Sequence, residues 1–120
     1  MAPPIPDGLD LVHSIDVVIA NAASLSGAVN LKGLALCGFI MPAAWTAAGV
    51  AFNVSIDGTN YNYLCWGGSE VAETVDVDQH VSVDPVKFLS AKYVKVLSGT
   101  SAVPVAQDAE RTIKLLCRPV

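Results

Sequence analysis

Hydrophobic and polar residues alternate along most of this chain with a period of two, the pattern of strands with one covered face. "SIDVVIA" (14–20) places Ile15, Val17 and Ile19 on one side. "GLALCGFIM" (33–41) is small and apolar on both sides, as in a strand covered on both faces. "VAFNVSI" (50–56) directs Val50, Phe52, Val54 and Ile56 inward and Ala51, Asn53 and Ser55 outward. Asp57-Gly58, a favoured tight-turn pair, leads into "NYNYLCW", and Gly67-Gly68 marks the next turn. "EVAETVDV" and "HVSV" carry spaced valines, and "KYVKVLS" and "RTIKLLCR" close the chain. In the last of these, Ile113, Leu115 and Cys117 share a side, with Lys114, Leu116 and Arg118 opposite. Short strands at regular spacing, with turn residues between them, predict an all-β fold, a sandwich or a barrel.

Two stretches break the alternation. "MPAAWTAAG" has Pro42 where a first helical turn could begin, followed by good helix formers, so one short helical turn is expected near residues 42–48. Residues 1–13 contain "APPIPDG", whose prolines cannot join a central strand or a helix. They are read as a frayed tail or, in an assembly, an extended arm ordered on a neighbour, and residues 14–120 as a single domain. Pro3, Pro4, Ile5 and Pro6 are therefore candidate contact residues.

Composition narrows the function classes. The chain is 120 residues long, 52% hydrophobic and only 15% charged, with a mean hydropathy of +0.50. About a quarter charged is usual, so part of the surface is expected to be covered by partners. A net charge of −4 with dispersed basic residues argues against a nucleic-acid partner. No apolar stretch reaches membrane-spanning length, and the N-terminus lacks a basic start and a continuous apolar segment of the Sec type. Cys37, Cys65 and Cys117 lie in apolar runs without ligand spacing and read as buried, reduced thiols of a protein made in the cytoplasm.

Reactive chemistry finds little support. His13 and His80 are the only histidines, and no nucleophile–base–orienting group emerges around them. His80 among Asp76, Asp78 and Asp84 could be drawn as a metal site, but alternating aspartates usually form the wet face of a strand. "WGGSE" lacks the Lys-Ser/Thr and the helix of a phosphate loop. No enzyme, cofactor or metal is expected. Trp45, Tyr61, Tyr63 and Trp66 are the candidate contact side chains. Aromatics of this kind fill sandwich cores or protein interfaces, and beside Asn and Asp they also stack on sugars.

"FNVSIDGTNYNYL" followed by "SAKYVKVLSG" resembles galactose-binding-like (discoidin-type) jelly rolls over residues 50–98. The resemblance implies an antiparallel β-sandwich, jelly-roll-like, and little about a ligand. A longer likeness covers residues 24–120. "MPAAWTAA", the Asp-Gly hairpin, "VDP" at Val83–Pro85, "SGTSAVPVAQ" and "RTIKLLCRP" together resemble small virion proteins of tailed bacteriophages, including head decoration or cement proteins. That likeness implies a non-enzymatic protein on the outer head surface, with the major capsid protein as partner and a homo-oligomer, first of all a trimer, as its assembly. A carbohydrate-binding module on the virion, or a tail or adaptor component, are the alternatives.

Overall fold

A computed structural model describes residues 11–119. The strands are β1 (His13–Ile19), β2 (Val29–Asn30), β3 (Ala35–Ile40), β4 (Val50–Ser55), β5 (Asn62–Tyr63) and β6 (Cys65–Trp66). They continue with β7 (Ser69–Glu70), β8 (Ala72–Glu73), β9 (His80–Ser82), β10 (Tyr93–Ser98) and β11 (Arg111–Arg118). One sheet has the order β1-β11-β3-β9. A second has β2-β10-β4-β5, with β8 also on β4, and β6 and β7 form a separate hairpin. Every pairing is antiparallel. The chain passes back and forth between the sheets, which makes an all-β, jelly-roll-like sandwich.

The core follows from the alternation. Val17, Ile19, Ile113, Leu115 and Cys117 point inward from the first sheet, and Val50, Phe52, Val94 and Val96 from the second. Phe52 links the layers through edge-on contacts to Phe39, with centroids 6.1 Å apart, and to Phe88, at 5.1 Å. The register between β3 and β11 slips, so that Leu116 faces Gly38 while Cys117 faces Leu36. Cys37 is the extra residue of this bulge. It resets the phase, which lets both Leu36 and Phe39 be fully buried.

Three local expectations are corrected. Residues 42–48 form no helical turn. Their backbone is claimed by distant partners instead: Asp78 N–H donates to the Pro42 carbonyl (3.0 Å), and the Gln107 amide holds both main-chain groups of Thr46. A four-residue 3-10 turn lies at Pro85–Phe88, capped by Asp84, whose carboxylate accepts from Val86 N–H. Ile56 is 70% exposed, because β4 ends at Ser55 and the inward alternation stops with it. The Asp57-Gly58 hairpin is also wider than a two-residue turn, since pairing resumes only at Val54 with Asn62.

Candidate interaction surface

The wide turn is built by two side chains. Ser55 Oγ accepts from the N–H groups of Asp57 (3.1 Å) and Gly58 (2.9 Å) and donates to Asp57 Oδ1 (2.9 Å). The Asp57 carboxylate also accepts from the N–H groups of Thr59 and Asn60 and from the Asn60 amide. The Asn60 and Thr59 N–H groups are the main reason that its pKa lies far below the ordinary carboxylate range, with the Asn60 and Ser55 side chains adding to them. Gly58 adopts φ 78° and lies over Tyr93, where an added Cβ would sit 3.2 Å from the ring. The turn is thus rigid, and its acid is occupied internally.

Beyond it the aromatics divide. Tyr61 is half-buried, with Lys95 Nζ 4.3 Å from its ring centroid, a cation–π contact that links β10 to this turn. Its hydroxyl and Asn53 Oδ1 are buried without a hydrogen-bond partner among the described residues. Burial, then the neighbouring Tyr93 and Asp57, raises the Tyr61 pKa. Tyr63, opposite Asn53 on β4, is 54% exposed, and Trp66 is 50% exposed. Trp45 is half-buried against the core, and its indole N–H donates to the Ala48 carbonyl (3.0 Å). Pro3, Pro4, Ile5 and Pro6 lie outside the described residues.

Tyr63 and Trp66 sit on successive short strands, β5 and β6. The β6–β7 hairpin places Trp66 opposite Ser69 and Cys65 opposite Glu70. The Glu70 carboxylate accepts from Ser101 N–H (3.0 Å) and Ser101 Oγ (3.1 Å), which pins the hairpin to the 99–105 loop. That loop is closed by its own pairing of Gly99 with Pro104 and exposes Val103 at 66%. Tyr63 borders the same loop across a groove shared with Ser101 and Pro104. Tyr63 on β5, Trp66 on the pinned β6–β7 hairpin and Val103 on the 99–105 loop therefore each present an exposed apolar side chain on supported backbone. The periodicity of the sequence could not locate Val103 or the Glu70–Ser101 pin, which join segments about thirty residues apart.

The other candidate groups are accounted for locally. Asp76 Oδ1 accepts from Val77 N–H, Gln79 Oε1 accepts from Asp76 N–H, and Asp84 caps its turn. Among the described residues no cluster of His, Cys, Asp and Glu is placed to hold a metal ion. Cys65 is exposed, whereas Cys117 is buried, and its thiol is pushed up to about 11 chiefly by burial, with Cys37 adding. No helix among the described residues is long and apolar enough to cross a membrane. No protein-family model matches the chain, and no curated protein matches it.

Proposed function

We propose that the chain is a non-enzymatic decoration, or cement, protein of a tailed-bacteriophage head. It binds the major capsid protein on the outer shell surface and stabilises the shell by bridging neighbouring subunits. The observation behind this reading is the half-exposed pair Tyr63 and Trp66, one on β5 paired to β4 and the other on a hairpin that Glu70 pins to Ser101, on a chain with few charges. Aromatic anchors on a rigid support lose little conformational freedom on docking, and a surface poor in charge loses little hydration. The sequence resemblance to phage virion proteins supplies the partner. A protein that binds only the assembled lattice stabilises it by mass action. The segment before β1 adds an arm across a subunit boundary, and a trimer is the expected assembly.

Cosedimentation with shells of the major capsid protein, before and after expansion, tests the reading. Saturable binding to expanded shells is expected, and absence of binding to both forms overturns it. A carbohydrate-binding module is the second reading. Its support is the groove of about 190 Å³ in which Tyr63 lies beside Ser24, Asn53, Thr100 and Ser101, an aromatic face next to polar groups. Retention on a glycan array by a chain that ignores shells would favour it.

A further inference from the structure

Most sheet edges among the described residues are short. β9 has three residues and runs into Asp84-Pro85, and β2, β5 and β8 have two each. β1 is different. It stands at the edge of the first sheet, runs for seven residues and pairs with β11 along its whole length without a bulge. It contains no Pro, Lys or Arg, residues with which natural edges avoid pairing. Its one acid, Asp16, accepts a hydrogen bond from Lys114 Nζ (2.9 Å) and so carries no uncountered charge.

One contact identifies the open side of β1. Gly27 N–H donates to the Val18 carbonyl (3.3 Å), so Val18 aims its backbone groups away from β11. Successive residues of a strand aim their N–H and C=O groups to alternate sides, so those of Asp16 and Ser14 point the same way as those of Val18. Among the described residues nothing hydrogen-bonds the outward groups of Ser14 and Asp16. Both residues are exposed, and Leu11 and Val12 just before the strand are 48% and 51% exposed.

We propose that this edge is an interface between two copies of the chain, with β1 pairing antiparallel to β1 about a two-fold axis at Ser14. Charge and space select the register. Centred on Asp16, the pairing sets like charges directly opposite each other. Centred on Ile15, it requires Val18, whose carbonyl is already taken by Gly27. Centred on Ser14, it sets Asp16 of one copy opposite Val12 of the other and covers Leu11 and Val12 of both. Two four-stranded sheets then become one of eight strands, an ordinary size. The contact is isologous, so one patch serves both copies. It is independent of the capsid reading, and being two-fold it is distinct from the threefold contact expected there.

Sedimentation equilibrium of the full chain over a concentration series tests it, with Ser14→Pro and Ser14→Glu beside the wild type. Ser14→Pro removes an N–H that β11 does not use, and Ser14→Glu sets like charges opposite each other at the axis. Both variants are expected to keep the circular dichroism of the wild type and to halve the limiting mass that it reaches at high concentration. Exchange of the Asp16 amide is expected to slow in the wild type as concentration rises. Where Ser14→Pro fails to fold, Ser14→Glu decides. Equal limiting masses for the wild type and Ser14→Glu overturn the proposal, whether neither protein associates or an assembly survives the substitution.

Discussion

Gln107 lies in "VAQDAER", a run that reads as a solvated loop, yet its side chain is fully buried. Its Oε1 accepts from Thr46 N–H (2.8 Å) and Arg111 Nε (3.2 Å), and its Nε2 donates to the Thr46 carbonyl (3.1 Å) and Ser98 Oγ (2.8 Å). Gln107→Leu keeps the volume and strands these groups in the interior, where each unsatisfied one costs about 1–3 kcal/mol. A total loss of about 3 kcal/mol is expected in urea unfolding, and a loss under about 1 kcal/mol would contradict the role. Asp57 sets a pH dependence. Its carboxyl binds a proton less readily in the fold than in the unfolded chain, so its contribution is complete above the ordinary value of about 4 and fades as pH falls below it. Asp57→Ala should therefore lower the thermal midpoint at neutral pH and show a smaller further drop between about pH 6 and about pH 3 than the wild type. Parallel drops in the two proteins would count against the assignment.

Among the elements, legibility follows length. β1, β4, β10 and β11 are six to eight residues long, enough for the alternation of core-facing apolar residues to register. The phase of β3 is hidden, since the bulge at Cys37 turns two successive alternations into one apolar run. β5 to β8 are two residues each, too short for any period to register; β5 and β8 are held by pairing with β4, and the β6–β7 hairpin by the Glu70–Ser101 contact. The 42–48 segment has helical composition but is held open by Gln107 and Asp78, which no local pattern reveals. The candidate surface is half legible for the same reason. Tyr63 and Trp66 stand out as aromatics, but no local pattern shows that both stay half exposed or that Glu70 pins the β6–β7 hairpin to Ser101. Gly38 offers a test at this scale. A Cβ there would lie 2.8 Å from the Val81 carbonyl oxygen, so Gly38→Ala must push β9 away from β3. A loss of about 2 kcal/mol is expected. Amide exchange should speed up in residues 80–83 first, and uniform acceleration across the first sheet would contradict the local cause.

For the whole molecule, a single core joins two sheets, and exposed apolar side chains remain on strands and loops alike. Val103, Trp66 and Tyr63 are each half exposed or more, while 15% of the chain is charged. Such a balance suits a protein whose working state is partly covered, and a shell lattice is the covering proposed here. The most direct measurement is the disruption temperature of expanded capsid shells titrated with the full chain and with Tyr63→Ala/Trp66→Ala. The account predicts a saturable rise with the wild type and little or none with the variant, whose own unfolding midpoint stays near the wild-type value because both side chains are half exposed. An unchanged disruption temperature at saturating wild-type protein would contradict it.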